Sequence, residues 1–417
     1  MSAGSDVARQ RVAWWSPWPP SRSGIAEYSR SLIRHLREHV AISVFIDPKA
    51  ATQPVERMPG VTIWSAQDFP AAQAKHPFTV GVFHLGNQAG HAYMTDALLK
   101  APYPRVGVFH DGSLYHLYEG ISRYRLIREI AAEEGVRAAW RAWHRLRQTG
   151  SESYHYPLLR KLAGACNALV AHSTYLAARL KTATAHQLSQ PMVTVIPFGA
   201  TCFPDDGGQV KGIVRRIVGL PQDALIFGVF GHITAAKRVD RVIQAFVEAN
   251  LPKAWLYIVG EMTPLAPNML RQWASDPACC LGQRILFDAR YRTPEYLLWA
   301  MQAVDVGIVL RFPTTGENSA VASDLLGMGK PCIVSAIGAF NDLPTSCVIK
   351  VPAGGDDELT ALRAAMRHLA SQPAQLASMS QAARAYSCER SWQIVAQRYL
   401  QLINGLAQPL SAWRAPN

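Results

Sequence analysis

Short apolar runs alternate with helix-like segments along the whole chain. Val12–Trp15, Ile42–Ile46, Val80–His84, Val106–His110 and Ala168–Ala171 read as strands buried on both faces. Between them, Ile25–Arg37 and Thr174–Lys181 carry apolar residues at helical spacing. The rhythm restarts with strands at Ile226–Phe230, Trp255–Val259, Arg284–Phe287, Val306–Leu310 and Cys332–Ser335, and with helices at Val239–Ala249, Pro294–Ala300 and Asn318–Met328. Strand-then-helix repetition predicts an α/β protein with parallel sheets covered on both sides, and the restart predicts two such domains. The turn formers of Cys202–Gly208 mark the linker. The expected divisions are 1–201, 202–385, and a helix and tail at 386–417 that packs back on the N-terminal domain.

Composition narrows the class. In 417 residues, 49% are hydrophobic and 17% charged, which supports large cores and excludes a disordered chain or a disulfide-stapled mini-protein. The seven cysteines (Cys166, Cys202, Cys279, Cys280, Cys332, Cys347 and Cys388) form no CxxC and are expected to be reduced thiols in a cytoplasmic protein. Trp14–Pro20 interrupts any signal-like apolar run, and no window approaches the roughly 18 apolar residues of a membrane span.

Charge is uneven. Residues 1–200 hold 22 Lys/Arg against 13 Asp/Glu, and residues 201–417 hold 20 against 17, so +9 of the net +12 lies in the N-terminal half. The densest stretch, 123–147, carries Arg123, Arg125, Arg128, Arg137, Arg141, Arg145 and Arg147 with Ile127, Ile130, Trp140, Trp143 and Leu146 interleaved. That pattern predicts one amphipathic basic helix. It serves either as an ordinary solvated surface or as a face resting on anionic lipid. Nucleic acid is not expected, because no zinc-finger, RRM or KH pattern accompanies the charge.

Open α/β sheets bind ligands beyond the carboxyl ends of their strands, so residues that follow strands are the candidates. Gly24 closes the loop after the first strand, where a glycine lets backbone approach a phosphate. His84 and His110 end strands, and Asp111 follows His110. Gly231-His232 leads to Lys237 and Arg238 at a helix start, where a cation is unfavourable unless an anion binds there. The segment with Gly316, Glu317, Asn318, Ser319 and Asp324 places a turn before a helix that Glu317 is expected to open. Asp324, two turns later, is expected on the same face, a pairing suited to sugar hydroxyls.

The segment 310–344, LRFPTTGENSAVASDLLGMGKPCIVSAIGAFNDLP, resembles the donor-binding signature of glycosyltransferase family 4. WWSPWPPSRSGIAEYSRSLIRHL at 14–36 and FGVFGHITAAKRVDRVIQAF at 227–246 resemble its glycine and phosphate loops. Residues 108–117, 156–180 and 193–200 are similar to its remaining N-domain and hinge segments. The resemblance implies the GT-B fold, two facing Rossmann-like domains with a cleft between them. It also implies a retaining, metal-independent transferase with no cofactor, moving a hexose from a UDP-hexose or GDP-mannose to a saccharide or polyprenyl-linked acceptor. Lys237, Arg238 and His232 would meet the diphosphate, Glu317 the sugar and Asp324 the ribose. His110 would lie beside the sugar, Gly24 behind the diphosphate, and Gly316, Asn318 and Ser319 in the donor loop. Arg137, Arg141 and Arg145 would lie on the acceptor side, toward an anionic membrane surface. The absence of any Asp-x-Asp agrees with diphosphate binding without a metal.

The chain departs from the family pattern at three points. His232 stands where the family usually has Arg, and Phe198 stands where the hinge often has His. Six residues separate Glu317 from Asp324, one fewer than usual, and the second acid is Asp. Two other readings stay open: a phosphorylase-type relative, and a sugar-nucleotide-binding module without turnover.

Overall fold

The computed structural model describes residues 9–146, 154–263, 266–276, 280 and 282–407. They divide into two compact units. The first runs to Gly199 and includes Thr315–Asn318 and the segment from Trp392; the second comprises Ala200–Thr314 and Ser319–Ser391.

The first unit contains a sheet of seven parallel strands: β1 (Arg11–Trp15), β2 (Ala41–Ile46), β3 (Val61–Ser65), β4 (Val80–Leu85), β5 (Arg105–Phe109), β6 (Ala168–Ala171) and β7 (Met192–Val195). Their order is β3-β2-β1-β4-β5-β6-β7. Adjacent residues of a strand face opposite sides, so β1 supplies both cores. Trp15 packs with Phe45, Phe83 and Phe109 on one side, and Trp14 with Val44, Val82 and Leu32 on the other. Ser23 caps the helix Gly24–Leu36, accepting from the Ile25 amide. Tyr28 of that helix meets Tyr399 of the helix Trp392–Ala407, Oη to Oη at 3.0 Å.

The basic stretch corrects one expectation. It forms two helices, Arg123–Glu134 and Val136–Arg145, broken at Gly135, whose φ of 88° is open to glycine at little cost. Ala138, Ala139 and Ala142 form the packed face of the second helix, leaving Trp140 64% and Trp143 49% exposed. Arg147 lies outside the described residues.

The second unit contains a sheet of six parallel strands: β8 (Leu225–Phe230), β9 (Ala254–Val259), β10 (Ile285–Asp288), β11 (Val306–Val309), β12 (Cys332–Ser335) and β13 (Val348–Val351), in the order β10-β9-β8-β11-β12-β13. Asp305 fastens the entry to β11. Its carboxylate accepts from the Ile226 amide at 2.8 Å and from the buried Arg215 guanidinium at 2.7 Å. The cysteine expectation is corrected here too. Cys202 and Cys388 form a disulfide with Cα atoms 5.3 Å apart, because folding brings together segments 186 residues apart in sequence. Cys166, Cys332 and Cys347 are buried free thiols, Cys280 is buried, and Cys279 lies outside the described residues. No described helix is long and apolar enough to cross a membrane.

Candidate functional site

In each sheet the strand order reverses direction beside its first strand, between β1 and β4 and between β8 and β11. Connections leave in opposite directions at such a point and open a crevice beyond the strand ends. The candidate residues follow these strands.

In the second unit, β8 ends at Phe230, and Gly231 follows with φ of 81°. A single 3-10 turn, Ala235–Lys237, returns the chain, and the Lys237 ammonium donates to the Phe230 carbonyl at 2.8 Å. A Cβ on Gly231 would stand 3.0 Å from the Lys237 Nζ and 3.6 Å from Val321. Gly231 therefore keeps the lysine folded over the strand end and beside the start of the helix Ala320–Gly327. Gly260, after β9, is more tightly constrained: its Cβ would fall 2.1 Å from the Gly231 carbonyl oxygen. Burial, and then the charge of Arg311, depresses the Lys237 ammonium to about 7. A desolvated cation beside the amide end of a helix is the complement of an anion.

The loop after β11 begins beside this turn. The Arg311 amide donates to Ser335 Oγ at 2.9 Å, and the Phe312 amide to the Ala236 carbonyl at 2.8 Å. Ser319 caps the helix, accepting from the Ala322 amide at 3.2 Å. Sequence reasoning put Glu317 inside this helix, sharing a face with Asp324. The helix instead starts at Ala320, because the Ser319 cap sets its first turn, and Glu317 lies in the preceding loop. Its carboxylate accepts from the Thr315 amide at 2.9 Å and hydroxyl at 3.0 Å. Gly316 between them has φ of 98°. The Asn318 Nδ2 is buried without a hydrogen-bond partner, an unmet demand that a polar ligand can satisfy. Asp324 lies in the helix, and burial raises its carboxyl to about 7.

The remaining cations differ from Lys237. The Arg238 guanidinium is bound to the buried Glu358 carboxylate at 2.6 and 3.0 Å, so its charge is already balanced. His232 is exposed, with Nδ1 3.8 Å from the Glu261 carboxylate.

In the first unit, Gly24 opens its helix with nothing within 4 Å of where a Cβ would stand, so the space beside it is open. His110 follows β5, its amide donating to the Leu85 carbonyl at 2.9 Å. Asp111 accepts from the Asn87 amide at 2.8 Å. His84 Nδ1 lies 3.0 Å from His110 Nε2. His172, which sequence reasoning missed, follows β6 as His110 follows β5, and the two rings are 4.9 Å apart. Burial holds His84 and His110 well below the usual histidine range and brings His91 and His172 to about 4. Arg311 was likewise not singled out in the sequence. Arg137, Arg141 and Arg145 are exposed on their helix.

A cavity of about 540 Å³ opens over β10, lined by Ile217, Tyr257, Arg290, Tyr296 and Trp299, and contains none of these candidates. Among the described residues, no group of three or more His, Cys, Asp or Glu side chains is placed to hold a metal ion.

No family model matches the chain, and no curated protein matches it. Among solved structures it resembles sucrose-phosphate synthase from Thermosynechococcus elongatus, with 17% identity over 95% of this chain and 98% of that one, at a TM-score of 0.68. HepE from Anabaena, solved with UDP and glucose, is 15% identical over 95% of this chain and 100% of that one, at 0.65. WaaG, a glycosyltransferase involved in lipopolysaccharide biosynthesis, is 14% identical over 94% of this chain and 100% of that one, at 0.60. Likeness at these identities defines the fold: α/β, with parallel sheets of seven and six strands, as in GT-B glycosyltransferases.

Proposed function

We propose that this chain is a retaining, family 4-like glycosyltransferase that moves a hexose from a nucleoside-diphosphate sugar to a saccharide or lipid-linked saccharide. Lys237 carries the assignment. Its ammonium is desolvated and held over Gly231 at the β8/β11 switch point, where it can neutralise the leaving diphosphate. The fold neighbours support the reading, since HepE has been solved with UDP and with UDP-glucose. The donor is a UDP-hexose or GDP-mannose.

In this reading the diphosphate is met by Lys237, by the Asn318 amide and by the N–H groups that open the helix Ala320–Gly327, with no divalent cation required. Glu317 holds sugar hydroxyls, Asp324 the ribose, and His110 lies beside the sugar, with Gly24 and Gly316 leaving room for the donor. Arg238 acts through the loop it braces against Glu358. The departing phosphate oxygen takes the acceptor proton on the face it leaves, so no dedicated general base is needed.

The acceptor belongs to the first unit, which has the larger excess of positive charge. The exposed Trp140 and Trp143 stand among Arg137, Arg141 and Arg145, a composition suited to an anionic bilayer surface. A thermal-shift screen of UDP, GDP and ADP tests the donor assignment, since a cognate nucleotide raises Tm by mass action. Release of free nucleotide from UDP-glucose or GDP-mannose tests turnover. Stabilisation by none of the nucleotides, with no release, defeats the proposal.

A further inference from the structure

Three histidines, His84, His110 and His172, gather beside Tyr28 in the first unit, with ring centroids between 4.9 and 5.7 Å from that tyrosine. His84 is fully buried, so the placement of its single proton has consequences. Neighbouring carbonyls settle two of the tautomers. His91 Nδ1 lies 3.0 Å from the His84 carbonyl oxygen and His172 Nδ1 lies 2.9 Å from that of Ile196, so each carries its proton on Nδ1 and donates. Among the described residues the His84 ring has one hydrogen-bond partner, the His110 Nε2 at 3.0 Å, while its own Nε2 is buried and unpartnered. A buried N–H without an acceptor is costlier than a buried lone pair, so the His84 proton belongs on Nδ1. The His110 Nε2 must then accept, which leaves its proton on Nδ1. Burial keeps both rings neutral at pH 7, so one proton lies between them.

We infer that His84 is a positioning residue that fixes the tautomer and ring orientation of His110, making His110 a hydrogen-bond donor through Nδ1 and closing its Nε2 to proton abstraction. This rests on, and deepens, the sugar-transfer reading: His110 would donate to a donor-sugar hydroxyl rather than act as a base. Trp14, with its ring centroid 4.8 Å from that of His84, holds the His84 plane.

The test uses the full chain labelled with ¹⁵N-histidine, with the His110 signals identified by their loss in His110→Asn. The expected long-range ¹⁵N–¹H spectrum at pH 7 shows His110 as the neutral Nδ1–H tautomer. In His84→Phe, His110 should become a mixture of tautomers, kcat for sugar transfer should fall at least tenfold, and affinity for UDP alone should stay within twofold. His84→Asn, whose amide can donate in place of the ring N–H, should recover most of kcat. An Nε2–H tautomer of His110 in the wild type overturns the inference whatever the activity. An unchanged His110 spectrum in a folded His84→Phe, or in His84→Leu should the phenylalanine variant not fold, overturns it as well. If the spectra come out as expected while the wild type transfers no sugar, the sugar-transfer reading fails and the His84 assignment stands.

Discussion

Arg238 and Lys237 are adjacent in sequence, yet among the described residues only Arg238 has a carboxylate partner: its guanidinium grips the Glu358 carboxylate, itself only 1% exposed, at 2.6 Å. The same carboxylate accepts from the Gly354 amide at 3.2 Å, so the pair also holds the loop that precedes the helix Asp357–Ser371. Removing one partner strands a buried charge, which costs about 3 kcal/mol or more. Arg238→Ala is therefore expected to lower Tm by several degrees in thermal unfolding. Lys237→Ala should leave Tm nearly unchanged while lowering kcat by about 10²-fold. Equal Tm losses in the two variants would show that the division between bracing and chemistry is wrong.

If Lys237 meets the diphosphate as proposed, nucleotide binding depends on pH. Its folded-state pKa lies below the ordinary lysine value, so the buried charge burdens the fold at low pH and is shed as pH rises through about 7. A bound diphosphate favours the charged form, so UDP binding near pH 7.5 should take up protons. UDP affinity should weaken from pH 7 to 9. Calorimetry in buffers of different ionisation enthalpy reads the uptake directly, and Lys237→Met should abolish both effects.

Asp324 titrates in the same range with the opposite sense. Burial raises its carboxyl to about 7, so the folded state favours the protonated form, and the stability this gives is lost as pH rises from about 4 through 7. Asp324→Asn should raise Tm at pH 8, and the gain should vanish near pH 4. If Asp324 also holds the ribose, the same variant weakens UDP binding, whereas Glu317→Gln damages sugar transfer and spares UDP affinity. Calorimetry with bare UDP separates the two acids, and equal losses in both variants count against their separate roles.

The central strands were legible in the sequence because burial on both faces gives near-continuous apolar runs such as Val80–Leu85 and Leu225–Phe230. Three of the four edge strands, Val61–Ser65, Met192–Val195 and Val348–Val351, were not, since they are short and half-exposed and mix Thr or Lys with Val. The turn carrying Lys237 could be read because Gly231 directly follows a strand and a periodic helix comes next. The start of the helix after Glu317 was misplaced although Ser319 offered the cap signal. His84 and His172 meet His110 only through strand pairing across the sheet, and Cys202 meets Cys388 only through folding. No local spacing encodes those contacts.

The helix Val136–Arg145 gives the last prediction. Its small residues Ala138, Ala139 and Ala142 face the protein, which turns Trp140 and Trp143 outward among Arg137, Arg141 and Arg145. Tryptophans do not normally cover a solvated helix face, whereas at a bilayer interface the indole sits at headgroup depth and the arginines meet lipid phosphates. Each cation near an anionic surface contributes on the order of 1 kcal/mol, so three arginines with two indoles suffice for reversible attachment. The electrostatic part is screened, so attachment should weaken between about 50 and 500 mM salt. In co-sedimentation, the chain should pellet with vesicles containing phosphatidylglycerol and stay in solution with pure phosphatidylcholine. Replacing Arg137, Arg141 and Arg145 together by Gln should remove most of the salt-sensitive binding, and Trp140→Ala with Trp143→Ala most of what remains at high salt. Because these side chains are exposed, neither variant should change Tm or UDP affinity. Absence of binding to anionic vesicles at low salt, with the chain folded, leaves a soluble saccharide as the acceptor.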